Sequence, residues 1–144
     1  MNKRHARDAE TVARSSEYRI RVGAVLVLRS GHRYVGFNQA KTHPMQKVFE
    51  SSRPRNSTHA EIHAMVVALR HHDPASLAGS TLYVARPNKL MCRPCEACRL
   101  AIEHFGITRV YYTQDGQWVG PVIYSGREEH RQTRRPWTQA QGPR

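Results

Sequence analysis

The chain is poor in cysteine, in acidic residues and in long apolar runs. Only three of its 144 residues are cysteines, and two of these form a Cys-x-x-Cys pair. This usage suits a metal site in a reducing compartment better than the disulfide framework of a secreted domain. The longest apolar run, Val22 to Leu28, is too short to cross a bilayer, and no apolar stretch follows Lys3 and Arg4 as it would in a signal peptide. We therefore expect a cytoplasmic protein with no membrane partner.

Acidic residues are outnumbered two to one. Lys and Arg total 23 against 11 Asp and Glu, which gives a net charge of +12, and residues 20–112 carry +8 of it. A charge excess within the body of the chain favours an anionic partner, either a phosphate-bearing small molecule or nucleic acid. The alternative is that the basic surface only aids solubility, because charge bears on association and not on fold.

The remaining composition is that of a globular domain. Hydrophobic residues make up 39% of the chain, and there is neither an internal repeat nor a low-complexity segment. Apolar residues at helical spacing predict helices at 3–17, 58–70 and 94–105. Apolar runs bounded by turn residues predict strands, with weaker signals for the last two, at 22–28, 34–37, 81–85, 108–112, 118–119 and 122–124. Residues 39–57 are predicted to be a long polar loop.

The order of these elements predicts an α/β fold. The turn Ser30-Gly31-His32 joins the first two strands into a hairpin. Strands and helices then alternate, which implies a mixed sheet with helices packed on it. We assign residues 1–125 to one domain and 126–144 to a basic C-terminal tail that is loosely ordered or packs on the domain.

Two short segments carry the chemistry, His59-Ala60-Glu61 and Pro94-Cys95-Glu96-Ala97-Cys98. His59, Cys95 and Cys98 supply three of the four ligands of a tetrahedral zinc site, and an open fourth position distinguishes a catalytic zinc from a structural one. Both segments lie at predicted helix N-termini, whose positive ends favour thiolates. Glu61, two residues after the histidine, is placed to move protons.

Each segment also has a plainer interpretation. Thr58 and Glu61 match a capping box, in which Thr caps the helix and Glu reaches back to its amide. His63 is spaced to bind metal on the same helix face but is more typical of a surface or supporting residue. Cys92 would close the zinc shell if it were a fourth ligand. Because Pro94 places the helix start after Cys92, we expect a small buried side chain or a pocket-wall residue there.

The pattern His-x-Glu followed by Pro-Cys-x-x-Cys is the signature of zinc-dependent nucleobase deaminases. On these residues the chain resembles the cytidine deaminase-like superfamily over roughly residues 5–113, and it looks closest to the deoxycytidylate deaminase branch of phages and bacteria. The resemblance implies a three-layer α/β/α sandwich with a central mixed five-stranded sheet, a Zn²⁺ cofactor and a deaminase domain over residues 1–125. It also implies that Glu61 is a proton shuttle and not a zinc ligand.

The chain is also similar to the tRNA adenosine deaminases, but two segments depart from their pattern. Asn56-Ser57-Thr58 stands where those enzymes often have Asp-Pro-Thr, and Arg93-Pro94-Cys95 stands where they commonly have Glu-Pro-Cys. These departures favour cytosine over adenine as the base.

The resemblance further implies substrate contacts. Asn38 is expected to hydrogen-bond the sugar, and Val22, Gly23 and Ala24 to line the base pocket. The plainer alternatives are a turn role for Asn38 and close packing for Gly23. Arg93, beside the cysteines, is a candidate phosphate contact.

Further basic and aromatic residues are candidates for binding phosphate or stacking bases, or are only solvated or packed. The candidates in the polar loop are the basic residues Lys41, His43, Lys47, Arg53 and Arg55, together with Thr42. The aromatic ones are Phe49, Tyr111, Tyr112, Trp118 and Trp137.

Three functions remain open at this stage. The first is deamination of a cytosine-containing free nucleotide such as dCMP, by an enzyme that is a homo-oligomer like its relatives. The second is deamination of cytosine or adenine within single-stranded DNA or RNA. The third is a non-catalytic, zinc-stabilised nucleic-acid-binding module, because fold alone does not fix function. The intact Glu61 argues against the third, since a structural zinc site needs no carboxylate there.

Overall fold

The computed structural model of the chain describes residues 1–50 and 57–124. Within these ranges four α-helices form, which are α1 (Lys3–Ala13), α2 (Pro44–Phe49), α3 (Ala60–Leu69) and α4 (Glu96–Phe105). The strands are β1 (Gly23–Val27), β2 (Arg33–Phe37), β3 (Thr81–Ala85), β4 (Arg109–Gln114) and β5 (Gln117–Val122). Two short 3₁₀ helices flank β3, at Pro74–Leu77 and Pro87–Lys89.

The five strands form one mixed sheet in the order β2-β1-β3-β4-β5. β1 is antiparallel to both β2 and β3, so the predicted hairpin is confirmed. β3 and β4 are parallel and are connected through α4, while β5 returns antiparallel to β4. The predicted α/β class with a mixed five-stranded sheet is thus confirmed.

Helices cover both faces of the sheet. On one face α1 packs on Val25, Tyr83 and Tyr111. On the other face α2, α3 and α4 enclose the larger core, which includes Leu26 and Leu82. Side chains alternate between the two faces along each strand, so β1 and β3 contribute to both clusters. The result is the predicted three-layer sandwich.

Two glycines let helices approach the sheet at backbone distance. A Cβ on Gly36 would lie 2.4 Å from the Ala64 nitrogen and 2.5 Å from the Ala60 oxygen, so α3 rests directly on β2. A Cβ on Gly23 would come as close to Ala9 and Ala13 of α1. The contact between Gly36 and α3 sets the distance between the N-terminus of α3 and the sheet.

The helix boundaries differ from the predicted ones. α1 ends four residues early, at Ala13, and both α3 and α4 begin two residues late. Cys95, not Pro94, immediately precedes α4 as its N-cap, so the proline lies outside the helix. Gly106 ends α4 as predicted, with a left-handed backbone at φ 71° that glycine adopts without strain.

Two elements were predicted wrongly. The polar loop at 39–57 contains α2, where Pro44 occupies the first turn and the His43 ring accepts a hydrogen bond from the Met45 amide at 3.0 Å. The last two short strands are one strand, β5, which turns back from β4 at Asp115-Gly116. The predicted tail at 126–144, with Trp137, and the loop residues Arg53 and Arg55 lie outside the described residues. Among the described helices, none combines the length and apolar character needed to cross a membrane.

Candidate active site

The N-terminal ends of two helices bring His59, Cys95 and Cys98 together. His59 is the N-cap of α3, Cys95 is the N-cap of α4, and Cys98 lies in the first turn of α4. The Nδ1 atom of His59 is 3.3 Å from the Sγ atom of each cysteine, and the three ligand atoms lie within 4.8 Å of one another. His59 thus joins one cluster with two cysteines that lie 36 and 39 residues later in the chain.

The donor set and its spacing fit zinc. Ligands bound to a tetrahedral zinc at ~2.0–2.3 Å lie about 3.5 Å from one another, close to the observed 3.3 Å. Imidazole nitrogen and two thiolates are donors that zinc prefers. In the part of the chain that the structure describes, this is the one group of three such side chains spaced to hold a metal ion.

The two thiols of the cluster are unlike. Hydrogen bonds from Cys98 and His59 lower the pKa of the Cys95 thiol to about 4. The Cys98 thiol donates to Cys95 and is fully buried, and both effects raise its pKa well above the ordinary value. Without a cation the pair therefore shares a proton, which metal binding would displace.

Glu61 lies beside this cluster, in the first turn of α3. Its side chain is buried, with 5% of the residue exposed. Burial raises the pKa of the Glu61 carboxyl; His59 opposes this shift and the negative charge of Cys95 adds to it. A carboxyl whose pKa is moved toward neutrality can both accept and return a proton, which is what general acid–base catalysis requires.

The capping box that Thr58 and Glu61 match in the sequence is absent from the structure. The N-cap is His59, so Glu61 occupies the second helical position and not the third, from which a glutamate reaches back. Thr58 is used elsewhere: its hydroxyl donates to the Lys41 carbonyl at 2.6 Å and accepts from the His43 amide at 2.9 Å.

Gln46 of α2 takes the place of the glutamate of a capping box, because it accepts the backbone N–H of the N-cap residue His59. Its side chain is fully buried, and its Oε1 atom accepts the backbone N–H of His59 at 3.0 Å. Its Nε2 atom donates to Glu50 at 3.3 Å. Sequence reasoning missed Gln46 because it missed α2; the Pro at position 44 is the local signal that predicts a helix start there.

A cleft of about 310 Å³ adjoins the cluster. His59, Glu61 and Cys95 line it, whereas Cys98 is fully buried behind them. The remaining wall includes Tyr18, Ile20, Val22, Asn38, Arg86 and Arg93. Tyr18, Ile20 and Met91 each expose more than a third of their surface at this cleft.

The family model of the cytidine and deoxycytidylate deaminase zinc-binding region matches residues 1–114 of the chain. The chain belongs to this deaminase family. Its match includes the metal cluster, Glu61 and the strands β1 to β4 that position them. The protein is accordingly a zinc-dependent hydrolytic deaminase of the cytidine deaminase type, with His59, Cys95 and Cys98 as its possible zinc site.

Solved structures agree with the fold of the deaminase. The cytidine deaminase from Burkholderia pseudomallei superposes with a TM-score of 0.63 at 21% identity, over 83% of this chain and 90% of that one. The cytidine deaminase from Mycobacterium tuberculosis superposes with a TM-score of 0.54 at 16% identity, over 81% and 86%. Among proteins of curated function, none matches the sequence.

Only some of the residues that the sequence predicts to contact the substrate of the deaminase line the cleft. Val22, Asn38 and Arg93 line the cleft, whereas Gly23 and Ala24 do not. Gly23 faces α1 on the opposite side of the sheet, so the close-packing interpretation is the one the structure supports. Ala24 lies in the core beneath α3.

Asn38 supports the cleft wall through its own side chain. Its Oδ1 atom accepts the Val22 amide at 2.9 Å and its Nδ2 group donates to the Ile20 carbonyl at 2.5 Å. The side chain thereby holds the segment that precedes β1 against the cleft. One amide hydrogen and one oxygen lone pair remain for other partners.

Cys92 lines the cleft but is outside the metal group. It is 7% exposed, and burial raises the pKa of its thiol. The predicted stacking aromatics Phe49, Tyr111 and Tyr112 are buried, Trp118 packs on the α1 face, and none of the four lines the cleft. Tyr18, which sequence reasoning missed, is the aromatic side chain at its mouth.

Proposed function

We propose that the deaminase acts on the cytosine of a free nucleotide such as dCMP, producing uracil and ammonia. The size of the cleft supports a small substrate, because 310 Å³ is at the lower end of the ~300–1,000 Å³ typical of small-molecule sites. Its inner part offers the zinc ligands and Glu61 to the base. Its wall offers donors to the rest of the nucleotide.

The observation that carries the proposal is a pair of arginines in the cleft wall. The Nε atom of Arg86 is buried, and no described residue accepts its hydrogen. The Nη1 atom of Arg86 reaches the Met91 carbonyl at a long 3.4 Å. Arg93 lines the same wall and is exposed. Guanidinium groups in the wall of the cleft suit the oxygens of a phosphate, and a neutral nucleoside has no charge for them to bind.

The residues of the cleft divide the chemistry between them. His59, Cys95 and Cys98 would hold the zinc ion, which would supply an activated water by lowering its pKa toward about 7. Glu61 accepts a proton from the attacking water and gives it to N3 of the cytosine ring, which makes C4 electrophilic. The hydroxide oxygen adds to C4, and Glu61 then takes the remaining hydroxyl proton and passes it to the amine. The C4–N bond breaks, the C4 carbonyl of uracil forms, and ammonia leaves. The buried position of Glu61 keeps bulk water from competing for these protons.

The test compares dCMP, deoxycytidine and a short single-stranded oligodeoxynucleotide as substrates, with uracil formation as the readout. We expect dCMP to give the highest kcat/KM. Replacing Glu61 with Gln should lower kcat by about 10²–10⁴ while zinc content is unchanged. Because a charge-assisted hydrogen bond contributes about 1.5–3 kcal/mol, Arg93→Gln should raise KM for dCMP by about 10- to 100-fold and leave deoxycytidine unaffected.

Arg14→Gln is the matched control, since Arg14 is an exposed arginine at the end of α1, on the other face of the sheet. Equal rates on dCMP and deoxycytidine, or an Arg93→Gln effect of the same size on both, would refute the phosphate role. Activity confined to the oligonucleotide would assign the deaminase to single-stranded nucleic acid instead.

A further inference from the structure

A second cavity, which we call the basic pocket, lies next to the active site and shares no lining residue with the cleft. Its volume is about 200 Å³. Its polar lining consists chiefly of Gln39, Lys41, His43, Thr58, His63 and Arg70. This volume is below that of a typical small-molecule site and suits a single chemical group rather than a whole nucleotide.

The described residues that line the basic pocket include lysine, arginine and histidine side chains and no carboxylate. His63 lies in α3 and Arg70 is the C-cap of that helix, and both line the pocket. Lys41 and His43 line it from the segment that leads into α2. Among residues 1–50 and 57–124, neither Lys41 nor Arg70 forms an ion pair. Burial lowers the pKa of His43 and of His63, and the charge of Arg70 lowers both further. The positive charges of Lys41 and Arg70 repel each other, and a bound anion would reduce this repulsion.

Part of the wall of the basic pocket is held in place by hydrogen bonds. His63 accepts the Phe37 amide at 3.1 Å and the Gln39 side-chain amide at 2.9 Å, both at Nδ1, which leaves Nε2 as the donor of the ring. The Thr58 hydroxyl ties the backbones of Lys41 and His43 together. A site whose walls are fixed before binding loses little entropy when it is occupied.

A groove connects the basic pocket with the cleft. Tyr18 and Asn38 line both the groove and the cleft, whereas Gln39 and Lys41 line both the groove and the basic pocket. The groove has a volume of about 500 Å³. A ligand with its base in the cleft and its backbone in the groove therefore brings a further phosphate to Lys41.

We propose that the basic pocket is a binding site for a phosphate group, distinct from the phosphate position at Arg86 and Arg93 in the cleft. The phosphate belongs either to a free anion or to the backbone of a nucleotide chain that extends along the groove. Lysine and arginine supply its charge, and the Nε2 group of His63 supplies a further N–H donor. The proposal concerns binding and stands whether or not dCMP is the substrate.

The test is calorimetric titration of the zinc-loaded protein with inorganic phosphate and, separately, with a trinucleotide that carries a central cytosine. The pocket variants are Lys41→Gln and Arg70→Gln. Lys47→Gln, an exposed lysine on α2, and Arg14→Gln are the matched controls. Lys41→Arg and Arg70→Lys keep the charge and show whether a loss of binding reflects charge or folding.

We expect each neutral pocket variant to weaken the binding of at least one ligand by about tenfold or more, with the controls and the charge-preserving variants within about twofold of the parent. An effect on inorganic phosphate identifies a free-anion site, and an effect on the trinucleotide alone identifies a backbone site. The proposal is wrong if neither ligand binds, or if pocket and control variants bind alike. Because dCMP turnover is measured separately, failure of this proposal and failure of the proposed substrate are distinguishable.

Discussion

Replacement of Gln46 by Met tests whether a residue outside the metal ligands holds the zinc site together. Methionine has nearly the volume of glutamine, so the buried space stays filled and no cavity contribution arises. What is lost is the acceptor of the His59 N–H, now bonded at 3.0 Å. An unsatisfied buried donor costs about 1–3 kcal/mol. The bond from Gln46 to Glu50 is long, at 3.3 Å, and adds little.

We therefore expect Gln46→Met to lower the free energy of unfolding by about 2 kcal/mol, or the Tm by about 4–8 °C for a chain of this size. Because His59 is then held less firmly, zinc affinity should fall by about tenfold, which corresponds to about 1.4 kcal/mol. Urea unfolding of the metal-free protein and zinc competition with a chelator measure the two effects.

Lys47→Met is the matched control, because Lys47 is the exposed next residue of the same helix. The reasoning is refuted if Gln46→Met unfolds at the parent urea concentration and binds zinc with the parent affinity. It is also refuted if Lys47→Met has an equal effect, since the loss would then belong to α2 in general.

Three further predictions concern the same site. In metal-free protein, Cys95 should be alkylated at nearly the same rate at pH 6 and pH 8, because a thiol with a pKa of about 4 is a thiolate at both pH values. An ordinary thiol would react about 100-fold faster at the higher pH. Mass spectrometry of the labelled peptide measures the rate, and a steep rise with pH would contradict the prediction. Cys92→Ser should keep one equivalent of zinc by metal analysis, because Cys92 is outside the metal group; loss of zinc would show that Cys92 is a ligand. Gly36→Ala should lower the free energy of unfolding by about 1–3 kcal/mol and also weaken zinc binding, because α3 must shift away from β2. Gly23→Ala should lower the free energy of unfolding by as much and leave zinc affinity unchanged. Equal zinc affinities in the two variants would show that the position of α3 on the sheet does not affect the metal site.

The ligand set and Glu61 could be predicted from the sequence because their signal is local and chemical. Two ligands three residues apart, a histidine and a carboxylate two residues apart, and helix starts at both segments leave few alternatives. The structure adds their convergence, with His59 3.3 Å from each sulfur. The mixed sheet could be predicted for the same reason, since β1 and β3 are short apolar runs bounded by turn residues.

Gln46 could not be predicted because its role is tertiary. Nothing near position 46 indicates that the side chain will accept an amide 13 residues later in the chain. Local reasoning also failed at Thr58, where the sequence fits a capping box. The hydroxyl is used by Lys41 and His43, because Gln39 and Thr58 form a β-bridge that brings the two segments together. In both cases a long-range contact decides what a locally plausible residue does.

The sequence also did not show to which face of the sheet each of residues 22–24 points. Val22, Gly23 and Ala24 form one apolar run, and a run buried on both sides does not reveal which residue points to which helix. Only the register, with Gly23 opposite Phe37 and Ala24 opposite Gly36, assigns Gly23 to α1 and Ala24 to α3.

The span of chain between the metal ligands has a consequence for how the protein comes apart. Zinc on His59 and Cys95 closes a loop that contains all of α3 and β3, and β3 is the middle strand of the sheet. By the chain-entropy argument used for disulfides, a cross-link over a loop of this length restricts the unfolded chain by about 4 kcal/mol. Chelation would remove this restriction on the unfolded chain, so the metal-free protein should unfold at a lower urea concentration than the zinc-loaded protein.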